Sequence, residues 1–233
     1  MVQPVSSAGG IDTSHLVTDD GKPVDNIYSE KAQHLLRDAP YASWSGPDGS
    51  GRFVVMVDVG VFAVPANPGI APDVLLAVDV DIPPDPRTEG HRSYFTWVYG
   101  KAPDVIVELV SNTEGGELSS KLRAYERMRV AYYVVYDPSH HLSAQDLHVF
   151  TLQGGVLTET TSRILPSVGL GVTLWKGEYE GCTDTWLRWT DARGQLLLTG
   201  RERAEAEHER AEAEHERAER LAATLRALGV DPK

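Results

Sequence analysis

PDVIVELVSNTEGGELSSKLRAYERMRVAYYVVYDP, residues 103–138, decides the fold. Its first part, Val105 to Val110, is an apolar run of the length and β-branched character of a buried strand. SNTEGG breaks the run, and ELSSKLRAYERM then places Leu118, Leu122, Tyr125 and Met128 on one stripe of a helix. AYYVVYDP closes the segment as a second strand. Strand, helix and strand in this order predict a crossover unit, right-handed if the strands are parallel.

Two charged residues interrupt the apolar pattern. Glu108 sits within the first strand, where an unpaired buried carboxylate would cost several kcal/mol. A metal ion would compensate it, and so would a basic neighbour at an exposed strand end; the residue alone fits both. Lys121 lies three residues after Leu118 and four before Tyr125, on or beside the core-facing side of the helix. Either its stem packs while the ammonium reaches water, or the helix brings it back toward Glu108.

Working outward, RFVVMVDVGVFAV (52–64) and PDVLLAVDVDI (72–82) read as two central strands joined by a Pro/Gly connection. Asp73, after Pro72 at the mouth of the second, can share a cation with a carboxylate on a neighbouring strand or be an ordinary strand-edge aspartate. Asp104 ranks below it as a partner for Glu108, because four residues of one strand separate the two by more than about 12 Å. SYFTWVYG (93–100) reads as a short aromatic strand after a loop. Upstream, residues 1–24 read as an arm, and DNIYSEKAQHLLRD (25–38) as an amphipathic helix. Downstream, hairpins are expected around Gly154-Gly155 and around Asp191–Gly194.

The tail repeats ERAEAEH, with Ala204, Ala211, Ala218 and Leu225 at heptad spacing and Glu207, Glu214, Leu221 and Leu228 as companions. This seam is polar early and apolar late. A solvated helix held by Glu–Arg pairs is expected first, with docking or pairing toward the end.

Composition narrows the functional classes. The chain of 233 residues, 41% hydrophobic, suits one domain plus an appendage. Its first residues lack the features of a secretory signal and no apolar run can span a bilayer, so a cytoplasmic location is expected. A single cysteine, Cys182, excludes an internal disulfide and a thiolate zinc cluster. The net charge of −12 argues against a broad basic surface for nucleic acid, although a local basic groove can coexist with it. HERAE at His208 is not the HExxH of a zinc protease; His208 and His215 fit a solvated repeat, and His140-His141 an exposed loop. No Gly-rich phosphate loop followed by Lys-Ser/Thr occurs.

Taken together, APDVLLAVD, the segment 103–138, the stretch LWKGEYEGCTDTWLRWTDARGQLL and the tail LRALGVDPK make the chain resemble the Uma-two family of restriction-type endonucleases from about Lys22 to Lys233. The resemblance implies the PD-(D/E)XK fold: α/β (α+β), a restriction-endonuclease-like mixed β-sheet flanked by helices, here with an extended C-terminal helix. It implies a nuclease-like domain over 25–198 and a coiled-coil-like tail over 199–233. The family's first aspartate falls on Asp73 and its strand glutamate on Glu108. Val110 occupies the usual lysine slot, and the lysine matches Lys121 on the following helix instead. Glu117 stands where the family often has aspartate, Ser111 matches a recurrent serine, and Glu30 is the candidate for a first-helix acid.

In function, the resemblance implies a DNA endonuclease using Mg²⁺, with Mn²⁺ as an alternative, held by Asp73 and Glu108. Lys121 would orient or help deprotonate the attacking water. Cutting both strands implies a homo-oligomer, with the C-terminal helix as one route to it. The competing reading is an inactive nuclease-fold accessory module that recruits partners through that helix, and a small-molecule hydrolase stays open as well.

Overall fold

The computed structural model describes residues 26–65, 68–83, 85–111 and 116–227. The expected arm at 1–24 and the seam residue Leu228 lie outside them. Helix α1 (Ile27–Ser43) starts at Asn26, whose side chain accepts a hydrogen bond from the Ser29 amide. It outruns the sequence expectation by one turn and carries Pro40 inside. Proline cannot donate to the carbonyl four residues back; that carbonyl, on Leu36, instead accepts from the Trp189 indole at 2.8 Å. The kink-prone residue is thereby used to dock a tryptophan.

Six strands form the main sheet: β1 (Phe53–Val57), β3 (Val74–Val78), β5 (Val105–Leu109), β6 (Tyr132–Tyr136), β7 (Leu147–Gln153) and β8 (Val156–Thr160), in the order β1-β3-β5-β6-β7-β8. Only β5 and β6 pair in parallel, and the connection between them runs through a π turn (Glu117–Lys121) and α3 (Leu122–Met128). The other neighbours are antiparallel, so the fold is a mixed-sheet α+β architecture. Of the two strands expected to be central, β3 is; β1 is an edge strand. It reads as central because α1 covers one of its faces while Val54 packs on the other, so burial without a second hydrogen-bonded neighbour produces the same apolar run.

Side chains alternate between two cores. Val55, Leu76, Val107 and Val134 face α1 and a long hairpin, whereas Val54, Leu75, Ile106 and Tyr133 face α3 through Tyr125. A second, smaller sheet, β2 (Val61–Phe62) with β4 (Tyr94–Phe95), extends the α3 side. Residues 93–100 form only this short β4, followed by the single-turn helix α2 (Thr96–Tyr99).

The hairpin around Gly154-Gly155 is β7–β8. The other expected hairpin is displaced. β9 (Ile164–Leu165), β10 (Leu170–Tyr179) and β11 (Cys182–Asp191) form a third sheet, and β10–β11 turn at Glu180-Gly181, both with positive φ. That is the backbone of a two-residue hairpin turn, whose usual signal is Asn-Gly or Asp-Gly. Here Glu180 takes the first position and is held by Lys31 at 2.8 Å. Past Asp191–Gly194 the chain makes a single bridge, Thr190 to Leu196.

Helix α4 (Gly200–Ala227) begins with a reciprocal cap: the Thr199 hydroxyl accepts from the Glu202 amide, and the Glu202 carboxylate accepts from the Thr199 amide. Glu202 also receives both terminal nitrogens of buried Arg188, each at 2.7 Å. Beyond this anchor the helix has no buried residue and carries ion pairs such as Arg201–Glu205 and His208–Glu212. Its described seam residues, from Ala204 to Leu225, are all exposed. No helix among the described residues is long and apolar enough to cross a membrane.

Because Arg188 is fully buried and Glu202 neutralises it, Glu202→Ala is expected to destabilise the domain by about 3 kcal/mol. Urea unfolding checks this, with Glu205→Ala, on the exposed helix, as the control expected to change stability by less than about 0.5 kcal/mol.

Candidate active site

Strand register assembles the site. Val74 pairs with Val57 on one side and Val107 on the other. One further step along the same register sets Asp73 between Asp58 and Glu108, with neighbouring Cβ atoms about 5 Å apart. The period of two aims Glu108 at the same face as Ile106, toward α3. Three carboxylates from three adjacent strands therefore stand in a row at one end of the sheet.

Each is held by named donors. Asp73 accepts from the Leu109 amide at 2.6 Å and from the Gln33 side chain at 3.1 Å. The same Gln33 nitrogen donates to Asp58 at 3.0 Å. Glu108, only 1% exposed, accepts from Tyr125 at 2.6 Å and from Lys121 at 2.8 Å. Lys121 also donates to Glu117 at 3.2 Å. The second Glu117 oxygen is buried and has no hydrogen-bond partner among the described residues.

The π turn makes the Lys121 contacts reachable. Its amide bonds the Gly116 carbonyl five residues back, one residue more than an α-turn encloses. Gly116 has φ +69°, and a side chain there would collide with Ser120. The extra residue turns Lys121 inward beside Glu117 rather than along the outer face of α3.

Burial dominates the electrostatics. It pushes the Glu108 carboxyl up to about 8, aided by Asp73 and opposed by Lys121 and Tyr125. It raises Asp73 as well, against the lowering pull of the Leu109 amide, Gln33 and Lys121. For Lys121, burial acts downward, but Glu108 and Glu117 outweigh it and hold the ammonium up near 12.

Asp73, Glu108, Lys121 and Glu117 thus come together, and Ser111 lies two residues past the end of β5. Glu30 does not join them: its side chain is 43% exposed and pairs with His34. The α1 residue that reaches the site is Gln33, one helical turn on. Gln33 and Asp58 were not among the residues expected from sequence. Their signal was the one that exposed Glu108, a polar residue in an apolar pattern, Gln33 between Ala32 and Leu35-Leu36 and Asp58 closing FVVMV. Asp104 belongs to the opposite end of β5, where it binds Lys101 and the Val78 amide.

A family model, Uma2, described as "putative restriction endonuclease", matches residues 22–173. The chain belongs to the Uma2 family. No curated protein matches it. The Uma2 match spans every residue of the site, from Gln33 on α1 to Tyr125 on α3, and stops within β10, before the anchor of α4.

The raised carboxyl has a sign that can be worked out. Between the unfolded value of about 4.5 and the folded value of about 8, native Glu108 keeps a proton that the unfolded chain has lost, so stability falls as pH rises through that window. Metal-free protein, unfolded in urea at intervals from pH 5 to 8, is expected to lose stability relative to Glu108→Gln. Parallel pH profiles for the two proteins would contradict the assignment.

Proposed function

We propose that this Uma2 protein is a divalent-cation-dependent endonuclease that hydrolyses DNA phosphodiester bonds, with Asp73, Glu108 and Lys121 at its centre. The observation that carries the reading is a fully buried strand glutamate, Glu108, in contact with a lysine, Lys121, and one register step from Asp73. A core carboxylate that needed only neutralising would be served by one fixed partner. Here Lys121 binds two carboxylates, Glu108 and Glu117, while Asp73 and Asp58 share the neutral Gln33 amide, and among the described residues one Glu117 oxygen has no hydrogen-bond partner.

That imbalance suits a hard cation, and carboxylate oxygens are the donors Mg²⁺ and Mn²⁺ prefer. Among the described residues no three His, Cys, Asp or Glu side chains converge on one ion position. Mg²⁺ commonly takes one or two carboxylates and fills its remaining positions with water and phosphate oxygens, so Asp73 and Glu108 are a sufficient pair to hold it. Bound there, the ion would neutralise charge at the scissile phosphate and acidify a water.

The chain's own groups have separable duties. Gln33 and the Leu109 amide fix the direction of Asp73, and Tyr125 fixes one oxygen of Glu108. Lys121, protonated throughout the neutral range, donates to the attacking water or to a phosphate oxygen and offsets developing negative charge; it is not the base. Glu117 draws the ammonium to the site edge, where its side chain is 26% exposed and open to substrate. Where both strands of a duplex are cut, two such sites generally act together, and for that case we infer an oligomer, with exposed Leu221 and Leu225 of α4 as the candidate contact.

Plasmid nicking with Mg²⁺ or Mn²⁺ tests the reading. Asp73→Ala and Glu108→Ala are expected to abolish turnover, and Lys121→Ala to lower it by about 10²–10³-fold with the fold intact. If the wild type neither nicks DNA nor binds Mn²⁺ in a calorimetric titration, the site is a structural remnant and the accessory-module reading takes its place.

A further inference from the structure

Between α3 and the segment that follows β2 lies a cavity of about 480 Å³, within the range of small-ligand clefts. Ala63, Val64, Ile70, Ala124 and Met128 line it, and among the described residues Arg127 is its one charged wall. Both of its walls also deliver site residues. Ile70 is three residues before Asp73, and Ala124 is three after Lys121 and next to Tyr125, so the cavity continues the helix face that begins at Lys121.

The rim is cationic in a chain whose net charge is −12. Arg123 and Arg127, four residues apart on the exposed side of α3, have no ion pair or hydrogen bond among the described residues. The one nearby acid on α3, Glu126, is taken by the Leu157 amide. Two exposed guanidinium groups on the helix that carries Tyr125 can bind phosphates of a strand that passes the centre.

We infer that the cavity seats one unstacked base of a nucleic-acid strand whose phosphates run along Arg123 and Arg127, so that the preferred substrate is single-stranded or locally unpaired. This inference rests on the nuclease reading above. A base inside a duplex has both faces stacked and cannot enter a concave pocket. An extruded base meets apolar walls and an arginine plane, the surfaces on which bases pack whatever their sequence. Among the described residues only Arg127 brings a hydrogen-bonding side chain to the walls, so the seat is expected to distinguish base from no base rather than one base from another.

The test measures binding of three fluorescent probes by anisotropy, without divalent cations: a mixed-sequence single strand, its duplex, and an abasic deoxyribose-phosphate chain of equal length. Wild type is expected to bind the single strand about tenfold more tightly than the abasic chain, and more tightly than the duplex. Val64→Asn, at a position 44% exposed and so harmless to folding, should bring the ratio of single strand to abasic chain close to one. Arg123→Ala should weaken both probes alike and leave the ratio unchanged. A wild-type ratio near one, or a ratio indifferent to Val64→Asn, overturns the base seat while plasmid nicking through Asp73 and Glu108 still stands. Absence of any nucleic-acid binding together with absence of nicking overturns both.

Discussion

A carboxylate in the middle of a sheet sets the terms for everything around it. Stripped of water, the Glu108 carboxylate would cost several kcal/mol without compensation, and the surroundings are built to supply it. Tyr125 takes one oxygen and Lys121 the other, both from the π turn and helix that cross between β5 and β6. The crossover therefore has to place two side chains as well as connect two parallel strands. Replacing the π turn by a regular α-turn would rotate Lys121 outward and leave Glu108 with the tyrosine alone.

The compensation is incomplete. Lys121 serves two carboxylates, Glu108 and Glu117, and neutral donors, Gln33, Tyr125 and the Leu109 amide, do the rest. Neutral donors orient a carboxylate without cancelling its charge, and in the metal-free protein Glu108 meets the deficit by holding a proton up to about 8. Such a state is costly for a purely structural core and appropriate for a site completed by a cation. An acidic protein does not hold a polyanion by its average surface; on α3, Arg123 and Arg127 are exposed and have no ion pair among the described residues.

At the other end of the domain the requirement is the reverse. Arg188 is a buried cation lying over the Trp175 ring, and Glu202 answers it while capping α4. One carboxylate thus starts the helix and fixes it to the body. Thereafter α4 is held by its own ion pairs, which explains how a helix with no buried residue continues to Ala227.

Local pattern was enough to read the strand–helix–strand unit, the α4 repeat, and Asp73, Glu108 and Lys121 as residues out of keeping with their surroundings. Each departs from an apolar period or opens a strand, and such departures are visible in one dimension. The edge position of β1, the turn at Glu180-Gly181, and Gln33 in place of Glu30 were decided only by tertiary structure. Burial looks alike whether a strand's neighbour is another strand or a helix; at the turn Glu180 stands where Asn or Asp is the usual signal, and its side chain pairs with Lys31, far off in sequence. Gln33 and Glu30 are three residues apart on one helix, and only the packing of α1 across the strand ends decides which of them meets Asp73. The sequence carries the chemical groups and their periodicity, but strand register, acting between segments far apart in the chain, determines which of those groups share a space.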